Sequence, residues 1–198
     1  MKTARLSWML VAALIAWSGV AQAQTAAAPM YVGVKRCKTC HNLEKAGGQF
    51  AKWTESKHSK AFATLASPKA LEIAKEKGIA DPQKADECLS CHVTGHGEAA
   101  DKFKESFVAA DGVGCESCHG AGSSYLKKKT MEGLRDKSLK YEDHGLLMPT
   151  KKTCDKCHNE KGTGGKFVDW TADSTKISHA IPADFKRGAD AAAPAAGE

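Results

Sequence analysis

The sequence predicts a mainly α fold with extensive loops, in one domain whose interior is furnished by bound groups rather than by aliphatic side chains. Three observations predict it. A Cys-x-x-Cys-His unit occurs four times in 198 residues. Aromatic residues are only 7% of the chain, and sizeable stretches are alanine, glycine and lysine. The recognisable periodicities are helical, and no clear strands stand out.

The four units are Cys37-Lys-Thr-Cys40-His41, Cys88-Leu-Ser-Cys91-His92, Cys115-Glu-Ser-Cys118-His119 and Cys154-Asp-Lys-Cys157-His158. Together they use all eight cysteines and four of the eight histidines. Structural zinc usually takes two Cys-x-x-Cys pairs per ion, which leaves the adjoining histidines without a role. A thioredoxin-like redox pair needs one motif in a βαβ setting. A phosphate loop needs Gly-x-x-x-x-Gly-Lys-Ser/Thr after a strand, and that pattern is absent. Covalent haem uses every residue of the unit: two thiols add to the two porphyrin vinyl groups, and the next histidine reaches the iron. The implied cofactors are four covalently bound haem c groups with their iron. The cofactor-binding residues are Cys37, Cys40, Cys88, Cys91, Cys115, Cys118, Cys154 and Cys157, and the proximal metal ligands are His41, His92, His119 and His158. The fold class then becomes a single multihaem cytochrome c domain in which the haems form the core, with no stable fold expected without them.

Taken in order, the chain opens with two positive charges and an apolar run from Leu6 to Val20, then Ala21-Gln22-Ala23. That is a cleavable signal peptide over residues 1–23, followed by a flexible leader over 24–30. Residues 31–183 form the tetrahaem domain, and the Ala-rich stretch 184–198 is a disordered tail. Within the domain a helix is expected from about Gln49 to Leu65, with Trp53, His58, Phe62 and Leu65 on one face. Ser67 caps a second helix with Pro68 at its first position, and Gly78 closes it. Asp81-Pro82 repeats the start signal ahead of the second motif. Phe103 to Val108 reads as a short strand or loop. Ser124 is a candidate cap for a helix from Tyr125 to about Lys137, and Lys161 to Gly165 is a loop. Motif spacing is unequal, so this is not a regular repeat array. Glycines 112, 114, 120 and 122 around the third motif suit positive φ and close approach of chain to porphyrin.

Export suits covalent haem and predicts a periplasmic protein without a stable membrane span after cleavage. The net charge is +6 as encoded and +4 once Lys2 and Arg5 are removed. Eight haem propionates would erase that excess. Lysines are dispersed without interleaved aromatics, so nucleic acid is not an expected partner. The one dense run, Lys127 to Lys129, reads as a solvated helix face or a docking patch for an acidic redox partner.

Each iron has a sixth position, and four histidines remain: His58, His96, His144 and His179. Their number allows bis-histidine ligation at every haem, which lowers potential relative to methionine. Each has a competing role. His58 lies on an apolar helix face and could be a core residue. His96 is too close to His92 to cross to the far side of its own haem, so it ligates another haem, hydrogen-bonds nearby or faces solvent. His144 precedes Gly145, as a histidine at a helix C-terminus does. His179 stands alone in "KISHAIP", and is the favoured distal source for the second haem. Met131 and Met148 are reserve sulfur ligands.

"YVGVKRCKTCH", "WTESKHSKAF", "CLSCHVTGHG" and "GVGCESCHGAGS" together resemble the tetrahaem cytochrome c-554 family, over roughly Tyr31 to Asn159. The resemblance implies a mostly helical fold, haems in close stacked pairs, periplasmic electron transfer, and His58 as distal ligand of the haem on Cys115, Cys118 and His119. Two distal histidines of the family fall on Lys129 and Pro149 here, so His144 or His179 would have to substitute. The favoured function is an electron carrier between redox partner proteins, since all identifiable chemistry is ligation. The alternatives are an enzyme reducing a nitrogen oxide at a five-coordinate haem, and an assembly subunit joined to copies of itself by haem contacts.

Overall fold

The computed structural model describes residues 28–162 and 169–185. The expected signal peptide and the tail beyond residue 185 lie outside the described residues, as does most of the leader. Short helices joined by long loops make up the fold: α1 (Val34–His41), α2 (Gln49–Glu55), α3 (Ala61–Thr64), α4 (Pro68–Glu76), α5 (Asp86–His92), α6 (Cys115–His119), α7 (Lys128–Arg135), α8 (Lys151–Asp155) and α9 (Trp170–Ile177). Among the described residues there is no strand, only an isolated parallel bridge between Tyr31 and Phe103. No described helix is long and apolar enough to cross a membrane.

Local chemistry explains α4. The Ser67 hydroxyl accepts the Ala70 N–H at 3.2 Å, and Pro68 fills the first position, where no N–H is needed. At the other end Gly78 takes φ +70°, and Ile79 N–H returns to the Ala74 carbonyl at 2.8 Å.

The helix expected over Gln49–Leu65 is broken. Ser56 is extended at φ −72°, ψ 162°, and a 3₁₀ turn at His58–Lys60 separates α2 from α3. Serine hydroxyls supply the alternative bonding: Ser56 donates to the Trp53 carbonyl at 2.7 Å, and Ser59 donates to those of Thr54 and Ser56, both at 2.9 Å. The expected Ser124 cap also moves. Ser124 lies in a 3₁₀ turn, and α7 starts three residues later, after Lys127. Asp81-Pro82 opens a turn rather than a helix, with the Asp81 carboxylate accepting Gln83 N–H at 2.9 Å. Phe103 to Val108 is loop beyond its one bridge, held by stacking of Tyr31 on Phe103 at 5.2 Å.

The apolar interior is thin. The buried hydrophobic residues among those described are Val32, Val34, Ala46, Leu65, Ala74, Tyr125, Leu134 and Phe185. Among the described residues, only Leu134 is buried to below 2% exposure. Several large apolar side chains stay exposed, including Leu147 at 53% and Met148 at 59%. Such a chain has too little side-chain core to offset its ordering entropy. Phe185 is buried under the Arg135 guanidinium, which also donates to its carbonyl. Packed chain therefore extends beyond the expected domain boundary at residue 183.

Candidate functional site

Each Cys-x-x-Cys-His unit sits on or across the end of a short helix. The first three occupy the C-terminal parts of α1 and α5 and the whole of α6. The fourth straddles the end of α8, with Cys154 inside it and Cys157 and His158 just beyond. A helical turn places the two thiols three residues apart on one side, and brings the histidine to the same side. No disulfide joins the cysteines among the described residues. Nor, among those residues, do thiols, imidazoles and carboxylates gather in groups of three or more around one point.

They meet in twos. The thiols of Cys37 and Cys115 lie within hydrogen-bonding reach, which brings the first motif against the third. The thiols of Cys91 and Cys157 do the same for the second and fourth. Cys118 lies close enough to Cys154 and Cys157 to feel their charge, so the third motif adjoins the fourth. Burial and the neighbouring Cys91 thiol push the Cys157 thiol up to about 12. Burial likewise raises Cys118.

The histidines pair across motifs. The His58 ring faces the His158 ring with centroids 6.0 Å apart and planes at 83°. The His179 ring faces that of His119 at 5.9 Å and 68°. Burial, then the neighbouring imidazole, lowers the pKa of His58. Burial also lowers that of His119, opposed by a bond to the Leu147 carbonyl and assisted by His179. Both rings are thus kept neutral, the form that binds a metal.

These pairings differ from two expectations. His58 stands opposite His158 of the fourth motif, not His119 of the third. His179 stands opposite His119, not His92 of the second motif. The break after α2 is the reason for the first difference, because it turns the His58 segment out of the helix axis. Trp53 Nε1–H donates to the Val113 carbonyl at 2.9 Å, and Val113 N–H to the His58 carbonyl at 3.0 Å. The second follows from α2 gripping residues 178–180: Gln49 and Lys52 donate to the His179 and Ser178 carbonyls at 3.3 and 2.8 Å.

The other two candidates are not brought to a motif histidine. His96 Nε2 lies 2.9 Å from a carboxylate oxygen of Asp86, at the start of α5. His144 is half-buried in a 3₁₀ turn. Met148 is largely exposed, and Met131 is half-buried in α7.

Carbonyls orient two of the motif histidines. His92 Nδ1 is 2.7 Å from the Ala61 carbonyl, and His119 Nδ1 is 3.0 Å from that of Leu147. A ring that donates from Nδ1 presents Nε2 to a metal. The third motif is pinned further by Thr94, whose hydroxyl donates to the Gly112 carbonyl and accepts Gly114 N–H. Gly114 and Gly122 admit neighbouring side chains: a Cβ on either would come within 3 Å of Val34 or Val32.

The arrangement fits haem. A metal–imidazole bond is about 2 Å, so two imidazoles on opposite sides of one iron have centroids about 6 Å apart. Both cross-motif pairs meet that spacing. Paired thiols, outward Nε2 atoms and a thin apolar interior are what a chain wrapped around porphyrins requires.

The arrangement is consistent with a multihaem c-type cytochrome domain. The family described as Cytochrome c554 and c-prime matches residues 36–120, and the chain is 36% identical over 121 residues to cytochrome c-554 of Nitrosomonas europaea. Over these residues the chain is similar to the cytochrome c-554 family. The aligned stretch is 59% of this chain and spans about half (48%) of that relative. The family match contains the first three motifs and stops short of the fourth. No solved structure matches.

Glu116, between the thiols of the third motif, was not among the residues expected to matter. Its neighbours gave one signal: a lone acid inside a Gly-rich, thiol-bearing stretch that folds close to other chain.

Proposed function

We propose that this chain is a periplasmic tetrahaem cytochrome that passes electrons between redox partner proteins, exported by the signal peptide at residues 1–23. The observation that carries the reading is the pair of imidazole couples, His58 with His158 and His179 with His119, at the spacing of axial ligands. Bound haem supplies the one-electron iron couple. The chain's part is to attach it through the eight cysteines, bind it through His41, His92, His119 and His158, and fix ring orientation through the Ala61 and Leu147 carbonyls. His58 and His179 would bind the irons held by His158 and His119. Contacts among the thiols set the order of neighbours as first, third, fourth, second, so electrons have a continuous route through the domain. Redox-poised electron paramagnetic resonance tests this by counting irons: at least two of four low-spin centres are expected, and four high-spin irons would refute it.

A second reading rests on His96 being engaged by Asp86 while His179 serves the third motif. The second haem then has no distal histidine from either source. An open iron there would take cyanide or nitric oxide, and reduction of a nitrogen oxide would become the activity. Cyanide binding at the iron of the second motif in the oxidised protein supports this reading; no binding there rejects it.

A further inference from the structure

Glu116 is buried to 4% exposure, and its carboxylate is enclosed by backbone. Oε1 accepts Val32 N–H at 2.8 Å and Gly122 N–H at 2.7 Å, and Oε2 accepts Gly33 N–H at 2.8 Å. Val32 and Gly33 lead into α1 with the first motif, and Gly122 follows α6 with the third. One side chain therefore joins two attachment peptides distant in sequence. Among the described residues no lysine or arginine forms an ion pair with it. The contrast lies within the molecule: Asp155 holds the equivalent place in the fourth motif, and Lys151 neutralises it at 2.8 Å.

A buried carboxylate with three backbone donors and no cation is costly to fold around, and breaking its bonds costs more than an exposed pair would. It lies next to Cys115 and is bonded to the backbone that leads into the first motif, so its field reaches both motifs. Adding an electron to a ferric iron beside a fixed negative charge is disfavoured, and low dielectric strengthens the effect.

We propose that Glu116 is a positioning residue that clamps the first and third haem-attachment peptides together and holds both of those haems at lower potential than the other two. This rests on the reading that the first and third motifs carry haem. Electrons would then collect on the second and fourth haems, away from Glu116.

The experiment is a spectroelectrochemical titration of holoprotein from wild type, Glu116→Gln and Glu116→Asp, with haem peptides first mapped by mass spectrometry. In Glu116→Gln two of the four haems move to higher potential. Their reduced-to-oxidised ratio at fixed poise rises by roughly tenfold, the order a unit charge exerts at partly buried sites. Glu116→Asp keeps the charge, so its potentials stay near wild type although its melting temperature falls. Equal shifts in both variants, or no shift in Glu116→Gln, overturn the proposal. If Glu116→Gln does not mature, the aspartate variant decides: a tenfold shift there shows that contact, not charge, sets the potentials. Absence of haem from the wild-type first and third peptides would instead refute the underlying reading.

Discussion

Replacing Gly112 by alanine strikes the turn that carries the His58 segment against the third motif. Gly112 takes φ +73°, ψ −135°, a region open almost only to glycine, so a Cβ costs about 1–3 kcal/mol there. That Cβ would lie 2.9 Å from the His58 carbonyl oxygen and 3.3 Å from the Ala61 and Phe62 nitrogens. All three are backbone atoms and cannot rotate away, so overpacking adds about 1–3 kcal/mol more. Lower chain entropy in the unfolded state returns about 0.5–1 kcal/mol. The net loss is about 3 kcal/mol. Gly78→Ala is the matched control: its φ is +70°, and nothing lies within 4 Å of its Cβ, so the loss there is about 1 kcal/mol. Denaturant unfolding of both haem-loaded variants measures the difference. Gly112→Ala should also perturb the absorption of one haem, because the His58 carbonyl is what the new methyl displaces. Equal losses in the two variants, or a large loss in Gly112→Ala with an unchanged haem spectrum, would refute the reasoning.

His58→Ala should convert one low-spin haem in four to high-spin and raise its potential by on the order of 0.1 V, a fraction of the range that axial ligands span. In a Cys154→Ala/Cys157→Ala background, which lacks the fourth haem, the same change should add no high-spin signal; an added signal would return His58 to the third haem. Trp53→Phe leaves the Val113 carbonyl without its side-chain donor and should cost about 1–2 kcal/mol by denaturant unfolding; a neutral result would show the bond is incidental to the break after α2. Protein expressed without haem maturation should show no cooperative thermal transition by circular dichroism, whereas a sharp one would mean that side-chain burial alone suffices, which among the described residues amounts to eight buried apolar residues.

The legible parts of the fold were those written locally. Ser67, Pro68 and Gly78 bound α4 through bonds within a few residues of one another. The helix at Gln49 was legible as a start but not as a length, because the periodicity of His58, Phe62 and Leu65 continues across a break made by serine hydroxyls and by the Val113 bond. The motifs announced the attachment chemistry by type and spacing. Which histidine faces which motif was not legible, since it depends on α2 gripping residues more than a hundred positions away. For His96 the short link to His92 argued against ligation of its own haem, while its bond to Asp86 needed three dimensions. Glu116 escaped notice because the two residues between the thiols vary freely among the motifs, and only its burial reveals three donors from two distant segments.

The central claim is that every motif carries haem, and intact mass spectrometry under denaturing conditions tests it most directly. After acid–acetone extraction, a covalently loaded chain keeps its haem and a zinc or disulfide protein does not. The account predicts the mass of the polypeptide starting at Gln24 plus four haem groups. A mass equal to the bare polypeptide, or to the polypeptide with fewer than four haems after full maturation, would contradict it.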